Sequence, residues 1–192
     1  MRGRAALNSE GDMDVVTRQE AETFLDLPSG EGGKLLDRII GDVSAMLAAE
    51  TGREDWGASS ERTEYRDGGE SFVTVDYWPI TSVASIYEDG DHDWGSNTLV
   101  DSGDYHAGEQ GIIWLETGSF VDGAEAVKIT YTGGYASASA VPEAVKAAAL
   151  RQVEHEWNRR KRQGGRADIP AGQTLPEVAT LLQRYTRKIP FA

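Results

Sequence analysis

Few residues in this chain have the types and spacing that chemistry needs. There is no cysteine among the 192 residues, which rules out disulfides, thiolate nucleophiles and cysteine-based metal sites. The three histidines, His92, His106 and His155, are far apart in sequence and form no H-E-x-x-H pattern. The segment Asp89–Ser96 has spaced aspartates but lacks the glycine and terminal glutamate of an EF-hand loop. Carboxylates are plentiful, and nothing singles out two of them as an acid–base pair. Gly133-Gly134 is too short a glycine run to cradle a phosphate and reads as a turn ending a strand. There is no nucleophile elbow and no P-loop. The expectation is a protein without catalytic, metal or cofactor chemistry.

Two other groups of residues have chemical potential. Trp56, Trp78, Trp94, Trp114 and Trp157, with seven tyrosines, fit a sugar-binding sheet face, and they fit equally well as core or subunit contacts. Arg159-Arg-Lys-Arg162 is a basic run at the end of a helical pattern. It complements a helix C-terminal dipole, and it also suits a docking surface for an acidic partner. Net charge is −13, unevenly placed: residues 142–192 hold ten Lys+Arg against five Asp+Glu, and residues 1–141 hold nine against 27. An acidic body of this kind repels nucleic acid. The basic end therefore suits an acidic protein surface, a neighbouring copy included, better than DNA.

Helices and strands must position these groups. Residues 1–13 read as a disordered arm, too short and polar for a signal peptide; no apolar run reaches the roughly 20 residues of a membrane span. Thr17-Arg-Gln-Glu20 is a capping-box pattern opening a helix over 17–27, with Ala21, Phe24 and Leu25 inward. Leu35, Leu36, Ile39, Ile40, Val43, Met46 and Leu47 recur at helical spacing over 34–51, and Gly52 stands where a left-handed cap belongs. From Glu61 the period changes to two. Strands are expected at 62–66, 71–77, 83–87, 111–115 and 126–131, within a β region over 61–132. Pro142 suits the first position of a helix over 142–162, whose inner face carries Ala144, Val145, Ala148, Ala149, Val153 and Trp157. Residues 163–192 read as a loop, a short helix over 175–185 and a tail, Arg187-Lys-Ile-Pro-Phe-Ala192, with an apolar tip on a basic stem. The fold class is α+β. An N-terminal helix pair and a long C-terminal helix form a small helical core, with a mostly antiparallel sheet inserted between them.

The order of these elements resembles one family, the head–tail connector (adaptor) proteins of tailed bacteriophages. The resemblance is carried by Glu50-Thr-Gly-Arg53 ending the second helix, Pro79-Ile-Thr-Ser-Val83, Asp104-Tyr105, Gly111-Ile-Ile, and Thr130-Tyr-Thr-Gly-Gly-Tyr135 followed by Val141-Pro and an arginine-ended helix. It covers about residues 15–162. It implies a non-enzymatic virion protein of the neck, assembled from the host cytoplasm into a twelve-fold ring under the portal. Such a ring extends the DNA channel without specific binding and offers a platform to a tail or stopper protein. It implies no cofactor and no membrane. Within that frame, Arg159, Arg160, Arg162, Arg166, Arg184, Arg187, Lys188 and Phe191 are the candidate contacts to portal or neighbouring subunit. The competing reading is an aromatic-rich carbohydrate-binding module or small virion-associated enzyme.

Overall fold

The computed structural model describes residues 14–53, 56–108, 110–164 and 172–187. It is α+β, with helices α1 (Arg18–Phe24), α2 (Gly33–Thr51), α3 (Glu143–Arg162) and α4 (Pro176–Leu182) and strands β1 (Ser60–Arg66), β2 (Phe72–Thr74), β3 (Ile80–Glu88), β4 (Tyr105–Gly108), β5 (Ile112–Leu115) and β6 (Val127–Gly133). The chain divides into two compact units, one holding the four helices and the other the six strands.

In the helical unit, the capping box forms as the sequence requires. The Thr17 hydroxyl accepts the Glu20 amide, and the Glu20 carboxylate accepts the Thr17 amide at 2.7 Å. Burial pushes the Glu20 carboxyl up, but these bonds and the Lys146 ammonium at 3.4 Å outweigh it and hold the group below its ordinary value. Helix α1 is one turn shorter than expected, and Phe24 is 46% exposed rather than inward. A seven-residue helix has little face to bury, and it is Ala21 and Glu22 that turn inside. Helix α2 buries Leu36, Ile39, Ile40, Val43, Leu47 and Ala48 along one stripe, then ends at Gly52 with φ +70°.

Helix α3 starts at Glu143, with Pro142 in the cap position. Its buried residues are Val145, Lys146, Ala148, Ala149, Gln152, Val153, Glu156, Trp157 and Arg160. All but Lys146 follow i, i+3, i+4, i+7 spacing. Ala144 falls outside that stripe and is exposed. Three polar members of the stripe act as ties. Gln152 donates to the Gln173 carbonyl at 3.1 Å and accepts the Leu175 amide at 2.9 Å, which fixes the approach to α4. Glu156 accepts the Gly172 amide at 3.0 Å. Arg160, fully buried, donates to Asp42 of α2 at 2.6 Å and lies 3.7 Å from the buried Glu156 carboxylate.

The sheet unit holds two three-stranded antiparallel sheets, β1-β6-β3 and β2-β5-β4, where a single sheet was expected. Val127, Ile129 and Tyr131 alternate inward along β6 and share one core with Ile86, Val73, Ile113 and Phe120. Strand β4, Tyr-His-Ala-Gly, has little intrinsic strand preference and is made by pairing with β5. The expected strand 71–77 is paired only over β2. The Gly-Gly turn closes β6 for a steric reason: any Cβ on Gly133 would strike the Tyr77 carbonyl, and Gly134 has φ +95°.

Three stability outcomes follow for chemical denaturation of the full chain. Arg160→Ala empties a fully buried site and removes a charged hydrogen bond, leaving Asp42 to Arg38 and Glu156 to Arg159; it costs about 1.5–3 kcal/mol, whereas exposed Arg162→Ala stays within about 0.5 kcal/mol. Ala148→Leu overpacks a fully buried site and costs about 1–3 kcal/mol. Glu20→Gln keeps the capping-box bonds but loses the charge facing Lys146, and costs about 0.5 kcal/mol at neutral pH. Because the folded Glu20 value is depressed, this cost is full above the ordinary value of 4.5. It vanishes as pH falls through the depressed one.

Candidate assembly surfaces

The eight basic and apolar residues expected to contact a partner are placed very differently. Arg160 is interior, as described above, and is not a docking residue: its charge is used between helices. Arg159 is half-buried and donates to Glu156 from Nε at 3.1 Å and from Nη2 at 2.6 Å. Arg187 is half-buried in the sheet unit, where it donates to the carbonyls of Val75 and of Gln110, the latter at 3.0 Å; burial lowers its pKa. Arg162 and Arg184 are exposed. Arg166, Lys188 and Phe191 lie outside the described residues. The basic run thus splits by helical phase, with Arg160 inside, Arg159 at the margin and Lys161 and Arg162 facing solvent.

Other arginines serve the interior of the sheet unit. The Arg53 guanidinium lies 3.5 Å from the Trp78 ring centroid and donates to the Trp78 carbonyl at 2.7 Å and the Tyr135 hydroxyl at 3.2 Å. Burial pulls its pKa down to about 10, so it stays charged at neutral pH. The Tyr131 hydroxyl donates to Glu64 and accepts the Tyr77 amide at 3.2 Å. Burial and then the Glu64 carboxylate push this phenol far above its ordinary value. Glu64 also takes Arg66, which pairs with Asp76 at 2.8 Å. Sequence reading missed this network. The alternating charges of Arg62, Glu64 and Arg66 along one strand are the signal that could have found it.

The tryptophans do not form one platform. Trp56, Trp78 and Trp157 are buried. Trp114 stacks on His106 with centroids 6.0 Å apart. Trp94 stands elsewhere, with its centroid 5.7 Å from that of Tyr65 and stacked on His92 at 5.5 Å. Tyr65, Lys128 and Tyr87 are one cross-strand row of the sheet β1-β6-β3. The Lys128 ammonium lies 5.6 Å from the Tyr87 centroid and 5.8 Å from that of Trp94.

The aspartate-rich loop is closed by its own backbone. Asp89 accepts the amides of Asp91, Asp93 and Trp94 at 2.9, 3.1 and 3.0 Å, and these bonds, led by that of Asp91, lower its pKa. Among the described residues no group of three or more His, Asp or Glu is arranged to hold a metal. In the helical unit, a cleft of about 620 Å³ between α1 and α3 is lined by Glu20, Phe24, Lys146 and Leu150. Its one ammonium, Lys146, is shared by two carboxylates, Glu20 and, at 3.5 Å, Glu143.

No family profile matches the chain, and no curated protein matches it. Solved structures do share its fold. A chain from the neck of an empty gene transfer agent particle, computed with C6 symmetry, is 18% identical with a TM-score of 0.58, and the match covers 93% of each chain. A chain from the virion of a native gene transfer agent particle is 18% identical with a TM-score of 0.57, again over 93% of each. A chain from the neck of a native particle, computed with C12 symmetry, is 16% identical with a TM-score of 0.51, covering 96% of this chain and 99% of that one. This chain has the fold of those neck and virion subunits over nearly its whole length.

Proposed function

We propose that this chain is a structural protein of the neck of a phage-like particle. In this reading it is a head–tail connector that oligomerises as a ring under the portal, extends the DNA channel and offers the tail its attachment platform. The observation that carries the reading is fold likeness over 93% of both chains to a subunit of a gene transfer agent neck. The order of sequence elements points the same way independently. One related neck was computed with C12 symmetry, which suits a twelve-fold ring here.

The physical chemistry of the chain is consistent with that role. Its acidic body lets DNA pass without adhering. Opposite charge in two parts of one chain suits contacts between unlike surfaces, which close into a ring when the rotation permits. The partners are then portal protein, further copies of itself and a tail or stopper protein, and the work is done by surfaces rather than by catalysis. The sequence after Arg187, Lys-Ile-Pro-Phe-Ala, is basic and apolar, a composition that suits contact with a partner.

Electron microscopy of particles with and without this chain tests the reading. The expected result is density for the chain between portal and tail, and, in its absence, filled heads and separate tails. Particles that lack the chain but carry tails normally overturn it. Deleting residues 188–192 is expected to leave the unfolding midpoint unchanged and to reduce incorporation into particles.

A further inference from the structure

The cleft between α1 and α3 has an apolar wall that the helical core does not use. Phe24 of α1 is 46% exposed and Leu150 of α3 is half-buried. On α3, Glu143, Lys146, Ala147 and Leu150 follow i, i+3, i+4, i+7 spacing and form a second stripe beside the buried one. At about 620 Å³ the cleft has room for several side chains of an incoming segment. Its charged lining residues are Glu20, Glu143 and Lys146, two carboxylates to one ammonium. The Glu143 side chain is 87% exposed, so it can take a second cation from the solvent side. An occupant with apolar side chains and positive charge fits this chemistry.

The chain itself supplies such a segment. Residues 1–13 lie outside the described residues, and Met1-Arg-Gly-Arg-Ala-Ala-Leu7 carries two arginines followed by three apolar residues, with no acid before Glu10. The segment joins the described chain at Asp14. Val15 is fully buried and its amide donates to the Ser44 hydroxyl of α2 at 3.1 Å, which fixes the root of the segment on the helical unit. Thr17, three residues past Asp14, lines the cleft. Leu7 is ten residues from Thr17, and an extended chain of that length reaches about 33–36 Å. A tether this short holds the segment at an effective concentration of about a millimolar or more. The other apolar segment outside the described residues, Ile189-Pro-Phe191, follows Arg187, which is held in the sheet unit. The N-terminal segment is rooted in the unit that holds the cleft.

We propose that residues 2–7 dock in this cleft of the same copy, with Leu7 against Phe24 and Leu150 and with Arg4 paired with Glu143. The segment then covers the apolar wall that α1, only seven residues long, leaves open. The contact goes beyond the neck assignment and does not depend on it.

The chain has no cysteine, so an introduced pair reports without background. Full-length protein carrying Ala6→Cys and Ala147→Cys, the second at an exposed position lining the cleft, is oxidised in dilute solution. The rate of disulfide formation within one chain is compared with that of an Ala6→Cys, Arg162→Cys pair, whose second cysteine stands on α3 outside the cleft. The cleft pair is expected to close about tenfold faster than the control pair, as an effective concentration raised by docking requires. Adding Phe24→Ala or Arg4→Glu is expected to slow it several-fold, with the unfolding midpoint unchanged. A cleft pair no faster than the control overturns the proposal, as does a fast rate that neither substitution changes, which reports the tether alone. Disulfides formed only between chains also overturn it and give the cleft to the segment of a second copy. The neck assignment is decided separately, by microscopy, whichever result is obtained.

Discussion

The guanidinium of Arg160 organises the helical unit. It is fully buried, bonds Asp42 of α2 and lies against Glu156 of its own helix. Glu156 in turn holds Arg159 and the Gly172 amide, so one ionic cluster ties α2, α3 and the segment leading to α4. A buried ion pair contributes little net stability compared with apolar packing, yet breaking it leaves an uncompensated charge inside. Its value here is positional. Apolar stripes on α2 and α3 slide past one another at small cost, and a buried guanidinium that donates from α3 to Asp42 of α2 favours one register.

The sheet unit uses the same device. Arg53 lies on Trp78 and reaches the Trp78 carbonyl and the Tyr135 hydroxyl, so it ties the segment just after α2 to the chain entering β3 and leaving β6. Glu64 gathers the Tyr131 hydroxyl, Arg66 and the Asp76 amide at 3.0 Å. These groups are spaced along three separate stretches of chain. Charge has been moved inward where strands are short and two small sheets share one core. The unit is acidic outside because residues 59–135 hold 15 Asp+Glu against three Lys+Arg.

That division of charge sets what each unit presents to solvent. Arginines that look interchangeable in sequence are assigned by helical phase to interior or solvent. What remains outside is an acidic face bearing aromatic rings and a short basic helix end.

Much of the fold was legible in the sequence because it rests on local chemistry. The Thr17–Glu20 box, the α2 stripe, Gly52 and the alternation of β6 each follow from side-chain spacing within a few residues. The α+β class follows from the change of period near residue 61 and back near 142. Tertiary structure alone decided the rest. Strand β4 exists because β5 pairs with it, and two sheets form because the strands regroup over long separations. Phe24 faces solvent because α1 is too short to have a second buried turn. Sequence also gave Arg159, Arg160 and Arg162 one role, whereas each turn of α3 rotates successive residues by about 100°. Only the packing of α2 and of residues 172–175 against that helix determines which guanidinium goes in and which stays out.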